Sequence, residues 1–117
     1  MRVPLIVADF LARGETAFAQ SVAVVDESIQ PAPPVALSNY EQFGRRVRAW
    51  QAGLDALRVG EGERVAVVSH NSTRMLELLH AVPASGRICV PVNFRLRADE
   101  VNYIISHSGA SVLLVDP

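Results

Sequence analysis

The fold is decided by residues 64–117, RVAVVSHNSTRMLELLHAVPASGRICVPVNFRLRADEVNYIISHSGASVLLVDP. Three short apolar runs at 64–69, 87–92 and 111–115 have the composition of buried strands. The segments between them, 70–82 and 101–108, repeat apolar residues at helical spacing. The order strand, helix, strand, helix, strand predicts two right-handed crossovers and a parallel sheet. We therefore expect an α/β protein in which residues 64–117 form a βαβαβ unit.

Residues 1–38 are predicted to form a helix followed by a strand and hairpin. The opening VPLIVADFLARGETAF has Pro4 at a helix start, with Ile6, Phe10 and Leu11 on one face. SVAVVDE then reads as a short strand. SIQPAPPVALS has three prolines within residues 31–34, which restricts it to a loop or hairpin tip.

Residues 39–63 are predicted to be a helix and a turn. One apolar stripe follows alternating spacings of three and four, through Tyr40, Phe43, Val47, Trp50, Leu54 and Leu57. Two capping boxes compete at its start, because Ser38 pairs in sequence with Glu41, and Asn39 with Gln42. VGEGE, residues 59–63, then turns the chain.

The later helices have similar signals at their ends. Either Asn71 or Ser72 can cap the helix after the first strand of the unit, and we expect its Met75, Leu79 and Val82 to face inward. The last helix places Val101, Ile104, Ile105 and Ser108 on one face. It is expected to stop at Gly109, with His107 in its final turn.

Composition excludes several classes of protein. Eleven basic and 12 acidic residues lack the positive charge of a nucleic-acid binder. The cluster of Arg45, Arg46 and Arg48 is expected on the solvated face of a helix. Cys89 is the only cysteine, which rules out an internal disulfide, and its apolar surroundings predict a buried, inert thiol. No apolar stretch reaches the roughly 20 residues of a transmembrane helix, and a signal peptide is not indicated, so we expect a cytoplasmic protein.

Side chains that could bear chemistry are few and scattered. His70 ends a predicted strand, where α/β proteins bind ligands, but a turn-positioning histidine is the favoured interpretation. Asp116 also ends a strand, without the acidic cluster or lysine of a phosphoacceptor site. His70 and His80 lack the partners of a zinc site. No Gly-rich phosphate loop is present, and GEGE precedes a strand and carries two carboxylates.

The serines do not complete a site either. Ser69, Ser72 and Ser108 have no G-x-S-x-G surroundings and no evident base. The sequence therefore predicts no catalytic, cofactor-binding or metal-binding residue in this chain.

Residues 39–116 resemble the N-terminal region of the AMP-forming acyl-CoA synthetase (adenylate-forming ligase) superfamily, in its fatty-acyl or aryl-acid branch. VPVNFRL at 90–96, followed by a helix and SGASVLLVD at 108–116, carries most of the likeness. VADFL at 7–11 resembles the opening helix of many such enzymes. Asn39, Gln42, Arg87 and Arg97 depart from the family pattern, and Arg97 replaces a usual helix cap.

The resemblance implies an incomplete N-terminal portion of a ligase large domain. The family forms an acyl-adenylate from ATP and a carboxylic acid, then transfers the acyl group to CoA, with Mg²⁺ assisting. Its phosphate loop, adenine and acyl pockets and C-terminal lid lie beyond residues 1–117. The segment is therefore expected to be a scaffold, incompetent alone, with the remainder of the ligase or a homo-oligomer as its partner.

Two other functions remain open. The chain could be a small non-enzymatic protein that uses the ligase-like fold to bind a partner or itself, since an open sheet exposes edge backbone and apolar surface. It could also be a flavodoxin-like nucleotide or phospho-signalling domain, which the missing Gly-rich loop and acidic cluster disfavour.

Overall fold

The computed structural model describes residues 6–117, and these form four helices and five strands. In chain order they are α1 (Val7–Phe18), β1 (Val22–Val24), β2 (Ser38–Asn39), α2 (Tyr40–Ala56), β3 (Arg64–Ser69), α3 (Thr73–Ala84), β4 (Ile88–Asn93), α4 (Ala98–Ser108) and β5 (Ala110–Val115). The predicted α/β class, N-terminal helix, hairpin and βαβαβ order are all confirmed. The predicted helix start at Pro4 lies outside the described residues.

The main sheet has three parallel strands with β3 in the centre, in the order β4-β3-β5. The β3–β4 register runs without interruption from Arg64 opposite Ile88 to Ser69 opposite Asn93. The chain moves from β3 to one side and then crosses back over β3 to reach β5. Two right-handed crossovers in opposite directions place α3 and α4 on opposite faces of the sheet.

The main core lies on the face that α2 and α3 cover. Val65 and Val67 of β3 pack there against Leu54 of α2 and against Leu78 and Val82 of α3. A second cluster joins α1 to α2 and α3, through Leu11, Phe43, Val47 and Ala81. β3 is the central strand, and a strand that is covered on both faces buries successive side chains. Its run of valines suits that position.

The hairpin is small and is held at its base. β1 and β2 pair antiparallel, with Val22 opposite Asn39. The intervening loop contains the three prolines, and Ala32 between them is buried at 2% exposure. The loop therefore packs onto the body of the protein.

Side-chain hydrogen bonds decide between the competing helix starts. At α2, Asn39 Oδ1 accepts the Gln42 N–H at 2.8 Å and Gln42 Oε1 accepts the Asn39 N–H at 3.0 Å. At α3, Ser72 Oγ accepts the Met75 N–H at 3.2 Å. The Asn39 and Ser72 alternatives are thus the ones that form.

The last helix ends where its sequence predicts but begins at Ala98, three residues before the predicted helical segment 101–108. At Arg97 only half of a capping box forms: Glu100 accepts the Arg97 N–H at 2.9 Å, but a guanidinium cannot accept in return. Gly109 ends α4 with φ of +66°, in the left-handed region that favours glycine.

Several residues predicted to face inward are exposed. On α1 only Leu11 of the predicted trio is buried, whereas Ile6 and Phe10 are exposed. Leu57 follows the last turn of α2 and points away from the core. Leu79 is also exposed, because α3 packs between α1, α2 and the sheet and turns Leu78, Ala81 and Val82 inward. The prediction of a Met75–Leu79–Val82 stripe was wrong at Leu79.

Candidate functional site at the carboxyl edge of the sheet

The carboxyl ends of β3, β4 and β5 meet at one edge of the sheet, where α/β proteins place their ligands. Ser69 at the end of β3 lies with its Oγ 3.1 Å from Asp116 Oδ2 and 2.8 Å from the His70 carbonyl oxygen. The Asp116 N–H donates to the Val68 carbonyl oxygen at 3.0 Å. These contacts tie the end of β5 to the end of β3, so Asp116 serves as a link between strands.

His70 packs against the loop that follows β4. Its ring centroid lies 3.8 Å from that of Phe94, and the two rings are tilted by 33°. The Arg95 guanidinium lies 5.4 Å from the Phe94 centroid. This aromatic contact holds the two loops together, which is the arrangement that the turn-positioning interpretation of His70 requires.

A crevice of about 400 Å³ opens between the ends of β3 and β4. Asn71, Asn93 and Arg95 line it with amide groups and one cation, and Phe94 forms an apolar wall. The crevice is the point at which the chain leaves for α3 on one face and for α4 on the other. Its side chains can hold a ligand by hydrogen bonds, and the Ser69 hydroxyl that also lines it is hydrogen-bonded to Asp116.

The three histidines occupy separate places. His80 packs edge-on against Phe43, with 5.4 Å between ring centroids, and its Nδ1 lies 2.9 Å from the Leu76 carbonyl oxygen. His107 stacks on Tyr103 at 5.5 Å. Within residues 6–117 no group of three or more His, Cys, Asp or Glu side chains is placed to hold a metal ion.

The serines and the GEGE turn have local partners. Ser72 caps α3, and Ser108 Oγ donates to the Ile105 carbonyl oxygen at 3.1 Å. The Glu63 carboxylate accepts the Gly60 N–H, and this bond, with a second from the Ser111 hydroxyl, lowers the pKa of Glu63. The carboxylate of this turn therefore stabilises the turn itself.

Sequence reasoning missed a buried carboxylate between α2 and α3. Glu77 is 0% exposed and accepts hydrogen bonds from the Arg46 guanidinium and from Trp50 Nε1 at 2.8 Å. A glutamate inside the apolar run MLELLHAV is the signal that could have found it, because a buried charge needs partners.

The prediction of a solvated arginine cluster was accordingly wrong at one position. Arg45 is exposed, but Arg46 is partly buried against Glu77. Arg48 is exposed and pairs with Glu15 of α1 at 2.8 Å. Two of the three arginines therefore join helices.

Asp26 in the hairpin loop was also missed. Its Oδ1 accepts the Thr73 N–H at 2.9 Å, and its Oδ2 accepts the Val35 N–H at 2.6 Å and the Gln30 side-chain amide at 2.8 Å. Burial raises the pKa of Asp26, but the hydrogen bonds from Thr73, Val35 and Gln30 outweigh it and lower the pKa from 3.8 to about 2. Asp26 fastens the loop to the first turn of α3, and no local sequence signal links two residues so far apart.

Arg87 and Cys89 flank the start of β4. Arg87 is buried and donates to the Val59 carbonyl oxygen at 2.6 and 2.9 Å and to Asp55 at 2.5 Å, so it fastens the turn after α2. Cys89 was predicted to be buried but is only half-buried, because β4 is an edge strand of the described sheet. Burial raises the pKa of the Cys89 thiol, which disfavours the reactive thiolate.

These features define a class of protein before any comparison: a doubly wound α/β module with a polar crevice at the carboxyl edge of its sheet, in which several charged side chains join parts of the fold. A family model described as "AMP-binding enzyme" matches residues 13–117. The chain belongs to the AMP-binding enzyme family, as the sequence resemblance predicted.

Individual relatives agree with the family. The chain is 38% identical over 109 residues to a long-chain-fatty-acid–CoA ligase of Thermus thermophilus, and 41% identical over 78 residues to a feruloyl-CoA synthase of an Amycolatopsis species. The two alignments cover 93% and 67% of this chain. The chain spans only 20% and 16% of the length of these relatives.

A solved structure from a related protein has the same fold as this chain. A crystal structure assigned as a long-chain-fatty-acid CoA ligase of Rhodopseudomonas palustris matches with a TM-score of 0.82 and 29% identity. The match covers 95% of this chain and 26% of that one. No helix within residues 6–117 is long and apolar enough to cross a membrane.

Proposed function

We propose that the chain is the N-terminal portion of a larger ATP-dependent acyl-CoA ligase. The observation that carries this proposal is the alignment with the Thermus ligase, which takes in 93% of this chain and only 20% of the relative. The parent would activate a carboxylic acid as its acyl-adenylate and then form the thioester with CoA. ATP, Mg²⁺ and CoA are the cofactors and substrates implied for that parent.

Within the parent, this segment acts as a scaffold. Attack of a carboxylate on the α-phosphate of ATP needs cations and a phosphate-binding loop to stabilise the transferring group. The described residues offer no such arrangement, so we assign them no catalytic role. Their contribution is a sheet with faces left for the rest of the enzyme: α4 has no buried residue, and Val115 of β5 is 62% exposed.

The proposed substrate is a fatty or aryl carboxylic acid. The long-chain-fatty-acid–CoA ligase and the feruloyl-CoA synthase among the relatives support these two classes. We also propose a cytoplasmic location, because the parent reaction draws on ATP and CoA and the chain has a single cysteine, which forms no disulfide within residues 6–117.

ATP–pyrophosphate exchange tests the proposal. The whole protein should exchange label when a long-chain fatty acid or ferulic acid is added, and residues 1–117 alone should not. Absence of exchange by the whole protein with both acids would argue against the ligase assignment. Exchange by residues 1–117 above background would refute the scaffold role.

The exposed side chains of β5 and α4 support one alternative, a small non-enzymatic protein that associates through this surface. Leu113, Val115 and Tyr103 are its exposed members. Sedimentation of residues 1–117 distinguishes the two functions. A folded monomer or a defined dimer would favour the alternative, and soluble aggregates would favour a segment that needs the rest of a ligase.

A further inference from the structure

Arg74 in the first turn of α3 carries a cation that residues 6–117 leave unpaired. Its Nη1 has no contact with solvent and no hydrogen-bond partner among the described residues. Two other arginines that contact buried groups have partners: Arg46 binds Glu77, and Arg87 binds Asp55 and Val59. Arg74 therefore differs from the arginines that hold the fold together.

The side chain lines a cavity of about 220 Å³ between α2, α3 and the sheet, next to the end of β5. Trp50, Val67 and Leu114 form apolar walls, and Pro33 of the proline loop also lines the cavity. Asp116 also lines the cavity, but it makes its hydrogen bond with Ser69 and forms no ion pair with Arg74.

A guanidinium N–H in such a place requires an acceptor. Leaving a buried donor unpaired costs free energy comparable to a lost hydrogen bond, and more for a charged group. A carboxylate is the acceptor whose geometry and charge match arginine. Charge complementarity thus points to an acidic occupant.

We propose that this cavity receives an Asp or Glu side chain from the remainder of the ligase, and that this carboxylate pairs with Arg74. The inference rests on the proposed function, since the alignment covers only 20% of the Thermus relative and leaves the rest of that relative's length outside it. β5 is an edge strand of the described sheet and its end lines the cavity with Leu114, Val115 and Asp116, so a segment that pairs with the free edge of β5 passes close to it. Arg74 is then an anchor for assembly of the large domain.

Three variants of the whole protein test the proposal by thermal unfolding. Arg74→Met keeps the length and removes the charge, Arg74→Lys keeps the charge, and Arg45→Met removes an exposed arginine as a control. If a carboxylate faces Arg74, R74M leaves that carboxylate buried and unpaired, and the unfolding midpoint should fall by roughly 2–5 °C. R74K should recover part of the loss, and R45M should match the parent.

The sign of the shift decides the outcome. Without an acidic partner, R74M removes an unpaired cation from an apolar cavity, and the midpoint should stay unchanged or rise. That result would overturn the proposal. An R74K midpoint as low as that of R74M would also overturn it, because the loss of stability would then come from the shape of the side chain and not from its charge. Pyrophosphate exchange by the unsubstituted protein, measured on the same preparation, reports separately on the ligase assignment.

Discussion

Glu77 lies at the contact between α2 and α3, where a carboxylate without partners would be strongly destabilising. The Arg46 guanidinium and the Trp50 indole N–H satisfy it from the neighbouring helix. Because the Arg46 side chain is 42% exposed, water can hydrate it if the pair is broken, whereas the Trp50 N–H is part of a partly buried contact and depends more on its acceptor. Breaking the contact should therefore cost more free energy at the Trp50 N–H than at the Arg46 guanidinium.

Glu77→Gln should lower the free energy of unfolding by about 1–3 kcal/mol, since it removes the charge and one of the two accepting oxygens. Trp50→Phe, which removes only the N–H donor and some apolar area, provides a comparison, and Glu61→Gln on the exposed turn is the control. Urea unfolding of each variant supplies the measurement. An E77Q midpoint equal to that of E61Q would show that the buried carboxylate does not stabilise the α2–α3 contact.

Asp26 gives a prediction about pH. Its pKa in the folded state is lowered from 3.8 to about 2, so the folded protein holds the charged form more strongly than the unfolded chain does. The stability that Asp26 contributes is therefore fully present above pH 3.8 and is lost as the pH falls through about 2.

Asp26→Asn should destabilise the protein at pH 7 by about 1–3 kcal/mol, because the amide nitrogen cannot accept from Val35 and Gln30. The difference in unfolding free energy between parent and D26N should shrink as the pH approaches 2. Urea unfolding at pH 7, 4 and 2 measures it. A difference that does not change with pH would mean that the carboxylate charge has no part in holding the loop.

At the scale of elements, the start of α3 offers a direct comparison of two neighbouring residues. Ser72→Ala should destabilise by about 1 kcal/mol, because Ser72 Oγ is the acceptor for the Met75 N–H. Asn71→Ala should have little effect, since Asn71 is exposed and does not cap the helix. Equal losses of stability in chemical denaturation would contradict the assigned cap.

Elements with strong local signals were predictable. The strands of residues 64–117, the Asn39–Gln42 cap as one of two candidates, and the stop at Gly109 all follow from side-chain chemistry within a few residues. The buried face of α3 was not, because Leu79 and Leu78 are equally apolar. Only the packing of α1, α2 and the sheet around this helix decides between them.

The same limit applies to the candidate site. That His70 and Asp116 end strands is visible in the sequence, and the parallel order places them on one edge. The contacts that define their roles are with Phe94 and Ser69 on other strands, and spacing alone does not predict them. Asp26 and Glu77 were missed for the same reason, since their partners come from distant parts of the chain.

At the scale of the molecule, the sheet is covered on one face by α2 and α3 and only lightly by α4 on the other. Alternate residues of β5 are exposed, and a guanidinium nitrogen of Arg74 is buried without a partner among residues 6–117. Both features are explained if this chain is one part of a larger ligase, whose remaining segments cover β5 and supply a carboxylate. Family membership and the partial coverage of its relatives support the same account.

The apparent mass of the protein in its source cells tests this central claim most directly. An antibody against residues 40–57, used in a denaturing immunoblot, detects any product that contains α2. The account predicts a band several times heavier than 12.7 kDa, as the relatives' lengths require. A single band at 12.7 kDa would contradict it and would direct attention to self-association through the exposed β5 and α4 surface.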